Sequence, residues 1–340
     1  MNKIIILGGA GYIGCVLTDL LLKNNYKIIC IDSLKFGATP IKNFKKKKNY
    51  KFYKRDTSNS KKIGELSQGS KAVVDLSGIV GDPACSINRK NTYYSNYYNT
   101  KKIVDDLKNR NIEKFIYASS CSVYGSSKGK KLIRETSKVK PISLYAELKI
   151  KCEKYILEKS DNKFSPTILR LATVFGYSPR QRFDLVVNLF TLFKYLKRKI
   201  QVFGGEQYRP NVHVHDVARA IMKCVKKNKK ITHKQIFNVG SNKQNHKIKD
   251  IAKMIGKKDE IEIKKTLTDN RNYHIEFSKI KKSLNFDTTY NISSGSKDLL
   301  NKIAKEKILR RNLKRYNNFK VESKKYAKKI KYKTIIKWKY

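Results

Sequence analysis

The 340-residue sequence is poor in acidic residues and in arginine. Asp and Glu number 27 against 77 Lys and Arg, a formal net charge of +50, and 63 of the basic residues are lysines. Two explanations of this excess stand side by side: an A/T-rich genome that favours lysine codons, or an anionic partner such as nucleic acid, lipid head groups or a phosphorylated substrate. Codon usage leaves the acid deficit unexplained. The shortage of arginine argues against nucleic acid, because arginine makes many of the contacts to phosphates and base edges.

The sequence also lacks the marks of a membrane-bound or secreted protein. The apolar run near its start, Ile4–Leu7, is far shorter than the roughly 20 residues of a membrane span. Glycines and Asp19 follow too early for a secretory signal peptide. The six cysteines form no Cys-x-x-Cys pair, which disfavours a disulfide framework and a zinc ribbon. We therefore expect a cytoplasmic protein.

Short apolar segments alternate with helical segments over the first 175 residues, which predicts a parallel sheet covered by helices. The predicted strands are rich in β-branched or aromatic residues; they are Lys3–Leu7, Lys27–Ile31, Tyr50–Lys54, Ala72–Asp75, Lys114–Ala118 and Thr167–Leu171. The predicted helices are Tyr12–Lys23, Tyr93–Lys108, Leu144–Glu158, Asp184–Leu196 and Val217–Val225. Asp216 stands where the N-cap of the last helix is expected.

A glycine-rich turn, Gly8-Gly9-Ala10-Gly11-Tyr12-Ile13-Gly14, follows the first strand and opens a helix. Glycine permits the tight turn, and the free N–H groups at the start of the helix can bind a pyrophosphate. Asp32 ends the next strand, where its carboxylate can accept from both hydroxyls of an adenosine ribose and would repel a 2′-phosphate. The pattern predicts NAD rather than NADP.

A second pattern, Tyr145-x-x-x-Lys149, places a phenol and an ammonium on one helix face, where the ammonium can lower the pKa of the phenol. The spacing alone is uninformative, because it occurs at eight tyrosines: Tyr50, Tyr97, Tyr98, Tyr124, Tyr145, Tyr155, Tyr195 and Tyr316. Context selects Tyr145, which follows a serine cluster, Ser119-Ser120, at the carboxyl edge of the predicted sheet.

With these residues the chain resembles an extended short-chain dehydrogenase/reductase of the NAD-dependent epimerase/dehydratase group, most like the UDP-glucose 4-epimerase type. The resemblance runs from about Ile4 to Asn285. Beyond the patterns above it rests on further ordered matches: Asp56, Val123-Tyr124-Gly125, Arg170-x-x-x-Val174-Phe175-Gly176, Arg209, His213-Val214-x-Asp216-Val217-Ala218 and Asn238-Val239-Gly240.

The resemblance implies an α/β fold, a Rossmann-type doubly wound parallel sheet with a smaller C-terminal α/β lobe. The expected divisions are an NAD-binding domain at 1–176, a mainly substrate-binding lobe at 177–300 and a basic C-terminal extension at 301–340. The extension holds 16 Lys and Arg against two acids. A homodimer is also implied, as is a nucleotide-diphosphate sugar as substrate.

The site residues follow from the resemblance, position by position. The catalytic group would be Ser120, Tyr145 and Lys149, with Tyr145 as the acid/base. The cofactor would be held, together with Tyr145 and Lys149, by Gly8, Gly11, Tyr12, Ile13, Gly14, Asp32, Asp56, Thr57, Leu76, Ser77 and Gly78. The substrate would be held by Ser120, Thr173, Asn188, Arg209 and Arg271.

Departures from the family pattern narrow the activity. Cys121 and Ser122 stand where sugar-nucleotide dehydratases carry an Asp-Glu pair, so dehydration is not expected. No histidine lies between Arg170 and Arg209, which disfavours the fucose-type epimerase-reductase mechanism. Thr173 replaces a common Asn, which leaves substrate contacts there open.

No metal site is predicted, since His213 and His215 have no evident third ligand. The sequence thus favours an NAD-dependent nucleotide-sugar epimerase, at C4 of the sugar, that works through a transient keto-sugar. The alternatives are a nucleotide-sugar ketoreductase or dehydrogenase and a non-catalytic NAD- or nucleic-acid-binding protein on the same fold.

Overall fold

The centre of the structure, a computed structural model, is a seven-stranded sheet. Residues 2–126, 132–266, 271–306 and 316–326 are described, without the side chains of 325 and 326. The strands in these ranges are β1 (Lys3–Leu7), β2 (Lys27–Asp32), β3 (Tyr50–Lys54), β4 (Ala72–Asp75), β5 (Lys114–Ser120), β6 (Ser165–Leu171), β7 (Thr173–Phe175), β8 (Ile200–Phe203), β9 (Tyr208–His213), β10 (Gln235–Val239), β11 (Asn245–Lys247) and β12 (Ile261–Lys264). The helices there are α1 (Tyr12–Lys23), α2 (Ser60–Ser67), α3 (Asp82–Ile87), α4 (Arg89–Tyr93), α5 (Asn99–Asn109), α6 (Leu144–Glu158), α7 (Val186–Tyr195), α8 (Val214–Lys226), α9 (Lys229–Thr232), α10 (Ile248–Ile255), α11 (Ser278–Leu284), α12 (Ile292–Lys305) and α13 (Asn318–Tyr326).

The strands of the large sheet lie in the order β3-β2-β1-β4-β5-β6-β10, and every neighbouring pair is parallel. The first six follow the order of a doubly wound dinucleotide-binding sheet, in which the order of strand addition reverses between β1 and β4. Because all strands point the same way, their carboxyl ends form one edge, and ligands bind at such an edge. The predicted Rossmann-type fold is confirmed.

Apolar side chains cover both faces of this sheet. Residues Ile4–Leu7 of β1 are completely buried, as expected of a central parallel strand. One face packs against α1 and α8 through residues such as Leu17 and Ile221, and the other against α5 and α6 through Leu107 and Ile156. Two helical layers around one sheet thus leave only its edges for a site.

A smaller lobe is built around two further sheets. In the first, β9 pairs in parallel with β7 and antiparallel with β11; in the second, β8 pairs in parallel with β12. The apolar core of the lobe includes Phe175, Phe190 and Ile251. The chain returns from this lobe to add β10 to the edge of the large sheet. The predicted smaller α/β lobe is therefore confirmed.

Most predicted elements agree with the structure. The bounds of β1, β3, β4, α1 and α6 are confirmed, and β2, β5 and β6 are one or two residues longer than predicted. The predicted helix Tyr93–Lys108 is one part of a longer unit in which a π-helical turn, Tyr94–Tyr98, joins α4 to α5. Among the described helices, none is both long and apolar enough to cross a membrane.

The prediction that Asp216 caps a helix is wrong. The helix α8 begins at Val214, and His213 is its N-cap, with a ring nitrogen that accepts from the backbone N–H of His215 at 3.3 Å. The Asp216 carboxylate is buried and accepts from the backbone N–H of Thr289 at 3.0 Å and from Arg219 at 2.7 Å. Asp216 therefore joins α8 to the segment before α12.

A buried ion pair fastens α6 to the large sheet. The Arg170 guanidinium on β6 donates to the Glu153 carboxylate on α6, with a shortest distance of 2.7 Å, and both side chains are about 95% buried. The hydroxyl of Ser119 on β5 donates to the same carboxylate, and Arg170 also donates to the Tyr124 hydroxyl at 2.9 Å. The pair thus connects β5, β6 and α6 at one point.

We expect Glu153→Ala to destabilise the fold by about 3–5 kcal/mol, because it leaves the Arg170 charge buried without its partner. Glu158→Ala is the matched control, since Glu158 lies on the same helix in an exposed pair with Lys154 at 3.9 Å; its expected effect is below about 1 kcal/mol. Equilibrium urea denaturation measures both. Equal losses in the two variants would contradict a structural role for the buried pair.

Candidate active site

The glycine turn lies between β1 and α1 at the carboxyl edge of the sheet. Gly8 has φ +74°, and a Cβ there would lie 2.9 Å from the backbone oxygen of Leu76. A Cβ on Gly14 would lie 2.5 Å from the Gly8 oxygen. Gly11, the residue before α1, has no side chain with which to cap the helix. The N–H groups of the first turn, around Tyr12, therefore remain available to an anion.

Asp32 lies beside this turn at the end of β2. Its carboxylate accepts from the backbone N–H of Ala10 at 3.1 Å and of Leu34 at 2.7 Å. Burial raises the pKa of Asp32, while these two N–H groups and Arg180 lower it. The carboxylate is therefore held in place at the position where a dinucleotide-binding sheet receives the adenosine ribose.

Two further predicted cofactor residues, Asp56 and Thr57, follow β3, the edge strand. Asp56 is exposed, and its carboxylate accepts from the backbone N–H of Ser58 at 2.9 Å. The Thr57 hydroxyl accepts from the Asn99 amide at 3.4 Å. The two residues lie in the loop that continues from the strand next to Asp32.

The loop Leu76–Gly78 follows β4 and is held from two sides. The Asp75 carboxylate accepts from the Ser77 backbone N–H at 2.9 Å and from its hydroxyl at 2.6 Å. The buried Asn96 amide makes two hydrogen bonds with the backbone of Ile79, both at 2.7 Å. Gly78 has φ +117°, and a Cβ there would lie 2.8 Å from the Asn96 oxygen. The sequence analysis missed Asn96, whose only signal is an amide within a tyrosine-rich helical segment.

These three elements fit a dinucleotide. The glycine turn lets a phosphate approach the backbone closely, and the Asp32 carboxylate can accept from a ribose. The Leu76–Gly78 loop, held in place by its hydrogen bonds, bounds the site on a third side. The structure thus brings the predicted cofactor residues of β1, β2 and β4 together along one edge.

Ser120, Tyr145 and Lys149 meet at the same edge. Ser120 ends β5, and its hydroxyl oxygen accepts from the backbone N–H of Ser122 at 3.1 Å and from the Ser122 hydroxyl at 2.9 Å. Lys149 donates to the backbone oxygen of Ala118 at 2.6 Å, and its ammonium lies 5.8 Å from the centroid of the Tyr145 ring. Since both Tyr145 and Lys149 lie on α6, their relative position is set by the helix.

Burial shifts the pKa of both titratable groups away from their charged forms. The pKa of Tyr145 is raised, first by burial and then by Cys85 and Asp82, while Arg182 and Ser120 lower it. Burial also lowers the pKa of Lys149. A phenolate at Tyr145 therefore requires the neighbouring cation and is unfavourable without it.

Two basic side chains lie near the start of the Tyr145 helix. Arg271 pairs with Asp82 at 2.8 Å, and the hydroxyl of Ser143, which caps the Tyr145 helix, donates to the same carboxylate at 2.7 Å. Arg209 is buried and donates to the backbone oxygen of Arg271. The two predicted anion-binding arginines are thus adjacent, and Asp82 links them to Tyr145.

The remaining predicted substrate residues differ in their surroundings. Thr173 lies in β7, opposite Asn211 of β9. Asn188 is completely buried; its amide accepts from the backbone N–H of Gly176 at 2.8 Å and donates to the Tyr12 hydroxyl at 3.0 Å. The geometry of Asn188 therefore supports a role in joining α7 to the glycine turn, and a contact with substrate stays a prediction.

Sequence reasoning also missed Arg182 and Asp184. They form an ion pair with distances of 3.1 and 2.8 Å, and the charge of Arg182 lowers the pKa of Tyr145. Their only signal is a cluster of charge in the segment before α7.

Cys121 and His213 are packed inside the protein. The Cys121 thiol donates to the backbone oxygen of Arg170 at 3.3 Å, and burial raises its pKa. His213 stacks on Tyr290 at 4.0 Å, and burial lowers its pKa to about 4. In the described ranges, no three His, Cys, Asp or Glu side chains are grouped so that they could hold a metal ion.

Comparison with known proteins places this geometry in a family. The model of the NAD dependent epimerase/dehydratase family matches residues 4–240. An uncharacterized UDP-glucose epimerase, YtcB, of Bacillus subtilis is 27% identical over 89% of this chain and 97% of its own length. The human dTDP-D-glucose 4,6-dehydratase is 30% identical over 71% of this chain and 69% of its own.

A solved structure has the same fold. The UDP-glucuronic acid 4-epimerase of Bacillus cereus, crystallised with UDP-glucuronic acid and NAD, superposes with a TM-score of 0.79 at 24% identity. The match covers 89% of this chain and 99% of that protein. On the family match over most of its length, the chain is a member of the NAD-dependent epimerase/dehydratase family.

Proposed function

We propose that the protein is an NAD-dependent nucleotide-sugar epimerase that inverts C4 of the sugar through a transient keto-sugar. The observation that carries this proposal is the convergence of Ser120, Tyr145 and Lys149 beside the glycine turn, with Cys121 and Ser122 in place of two carboxylic acids. The relatives of this chain include named UDP-sugar epimerases, which supports a UDP-hexose or UDP-hexuronate as substrate.

NAD supplies the acceptor, and later the donor, of the hydride. The protein's own part is proton transfer and orientation. Tyr145 removes the proton of the sugar hydroxyl and returns it after the keto-sugar has turned in the site. The Ser120 hydroxyl already accepts two hydrogen bonds from Ser122, so its own proton is available to the Tyr145 oxygen and to the reacting oxygen of the sugar.

The charge of Lys149 makes this proton transfer feasible at neutral pH. Burial, together with Cys85 and Asp82, raises the pKa of Tyr145, so the phenolate needs a cation close to its ring. Lys149 occupies that position and is fixed by the Ala118 oxygen and the Tyr117 hydroxyl, at 2.6 and 3.0 Å. Its loss should move the basic form of Tyr145, and therefore activity, to higher pH.

The substrate diphosphate is proposed to lie against Arg209 and Arg271. Arg209 donates to the backbone oxygen of Arg271, which pairs with Asp82 beside the cap of the Tyr145 helix, and arginines match the geometry of phosphate oxygens. Thr173 and Asn188 complete this proposed substrate set. The division into an NAD-binding domain at 1–176, a substrate lobe at 177–300 and a C-terminal extension at 301–340 is part of the same proposal.

The alternatives fit the site less well. A dehydratase needs an acid and a base beside Ser120, and neither Cys121 nor Ser122 carries a carboxyl. A dehydrogenase that proceeds to a second oxidation needs a nucleophile, and the Cys121 thiol is buried with a raised pKa. A non-catalytic NAD- or nucleic-acid-binding protein would have no need of a lysine held beside Tyr145.

We further propose a cytoplasmic homodimer. Tyr93, Tyr94 and Tyr98 are 38, 47 and 39% exposed on the helical unit that packs beside α6. A row of exposed aromatic side chains is typical of a protein–protein interface. A second copy of this chain is the proposed partner.

The direct test of this function is turnover without added cofactor. We expect the purified protein to interconvert two epimers from a panel of UDP-, dTDP-, GDP- and CDP-sugars, read by NMR, with no lasting NADH absorbance. Stoichiometric NADH, or activity only with a continual supply of NAD, would overturn the epimerase in favour of a dehydrogenase or reductase.

Tyr145→Phe should lower kcat by about 10²–10⁴-fold or more, because the variant cannot transfer the proton, while NAD stays bound. Tyr155→Phe is the matched control, since Tyr155 has the same spacing to a lysine on the same helix and its hydroxyl donates to Asp105. Steady-state kinetics measures both. Near-normal activity of Tyr145→Phe would refute the assignment of the base.

Asp32→Ala should narrow the preference for NAD over NADP by about tenfold or more, because the carboxylate no longer repels the 2′-phosphate. Asp56→Ala, in the neighbouring loop, should affect both dinucleotides equally. Calorimetric titration measures the affinities.

Since burial raises the pKa of Asp32, the wild-type preference for NAD over NADP should also weaken as pH falls and the carboxylate is protonated. Equal wild-type affinity for both cofactors at neutral pH would be decisive against this role.

A further inference from the structure

The helix α13 contacts the loops that follow β2 and β4, and it lies beyond the residues that match the family model. It packs against α3, and its first residue, Asn318, donates to the backbone oxygen of Val80 at 3.0 Å. Val80 belongs to the loop after β4 that also carries Gly78. A helix from the far end of the chain thus holds the cofactor loop of the large sheet.

The same helix fixes a buried arginine. Arg180 is 3% exposed, and its guanidinium donates to the Asn318 side-chain oxygen at 2.6 Å. The guanidinium also stacks on the Phe36 ring at 3.8 Å. In the described part of the chain, no carboxylate lies within ion-pair distance of Arg180, although the charges of Asp184 and Asp32 act on it from further away. Its Nε has no hydrogen-bond partner. A buried cation with an unsatisfied donor indicates an anionic ligand.

The position of Arg180 indicates that this anion is the diphosphate of the dinucleotide. Two residues earlier, the Ser178 hydroxyl donates to the backbone oxygen of Tyr12 at 2.7 Å, and the Tyr12 hydroxyl donates to the Gly176 oxygen at 2.7 Å. The Arg180 segment therefore rests on the start of α1, where the dinucleotide diphosphate is expected. Burial, followed by the charge of Arg182, lowers the pKa of Arg180 to about 10, so it remains a cation at neutral pH.

A second contact ties α13 to the loop after β2. Glu322 is 2% exposed and forms an ion pair with Lys35, three residues beyond Asp32. Just before α13, the Tyr316 backbone oxygen accepts from the Phe183 N–H at 2.9 Å. The segment 316–322 thus joins the loops after β2 and β4 to the segment that carries Arg180.

We propose that α13 completes the cofactor site and acts as a clasp that holds NAD in place. Asn318 orients Arg180 towards the diphosphate of NAD, and the Lys35–Glu322 pair holds the loop after β2 against the dinucleotide. The clasp slows release of the cofactor, as an epimerase requires, since it must keep the reduced cofactor until the hydride returns. The inference rests on the proposed placement of NAD.

The experiment exchanges the charges of the Lys35–Glu322 pair and measures how long the protein retains NAD. Lys35→Glu and Glu322→Lys each place like charges together, and we expect each to raise the NAD dissociation rate about 10- to 100-fold. The double variant Lys35→Glu/Glu322→Lys restores an attractive pair and should return the rate to within about threefold of wild type. Lys62→Glu, in an exposed pair with Glu65 at 2.8 Å, is the matched control and should release NAD at the wild-type rate.

The readouts are the NAD that remains after gel filtration, the dissociation rate of fluorescent NADH and the apo-protein Tm. Asn318→Ala provides a milder variant, which removes the support of Arg180 without a change in charge. Faster release at an unchanged apo Tm, rescued in the double variant, supports the clasp. Wild-type retention in all variants, or no rescue, overturns it. Loss of epimerisation with normal NAD retention would count against the proposed function and leave the clasp intact.

Discussion

The arrangement of the active site depends on the buried ion pair between Arg170 and Glu153. Glu153 lies one helical turn beyond Lys149, and its carboxylate also accepts from Ser119, the residue before Ser120. This buried ion pair therefore fixes the position of α6 relative to β5 and β6. Charge-assisted hydrogen bonds in a dry interior have narrow geometry, and loss of either partner is costly. The distance between the Tyr145 phenol and the Ser120 hydroxyl follows from this constraint.

The site combines fixed geometry with unfavourable burial of charge. Tyr145, Lys149 and Asp32 all have pKa values that burial shifts towards the neutral form. At two of them specific neighbours oppose the shift: Arg182 at Tyr145, and backbone N–H groups at Asp32. Such opposition is common at functional sites, where a group must change charge during the reaction. The neighbours of the Tyr145 phenol therefore partly offset the burial that disfavours its charged form.

Much of the fold was predictable, because the decisive signals are local. The strand β1, the glycine turn and α1 follow each other directly, and short apolar runs such as Ile4–Leu7 mark buried strands. The Tyr145 helix was also predictable, since Ser143 caps it with a hydroxyl that accepts from the Ala146 N–H at 3.3 Å.

The parts that could not be predicted depend on distant partners. Asp216 has the residue type of an N-cap, yet its carboxylate accepts from Thr289, which lies 73 residues away. Arg180 and Asn318 are separated by 138 residues, so no local pattern connects them. Asn96 is recognisable only once the loop after β4 lies against it. At these positions the residue type alone did not predict the role of the side chain, because that role depends on neighbours that are distant in the sequence.

The central claim is that a hydride leaves C4 of the sugar and returns to the same carbon. The most direct measurement uses a UDP-sugar substrate labelled with deuterium at C4, in the presence of excess unlabelled NADH. Both epimers at equilibrium should keep the deuterium at C4, and none should appear in solvent or in the free cofactor. Loss of the label to water, or its transfer to the free NADH pool, would contradict it.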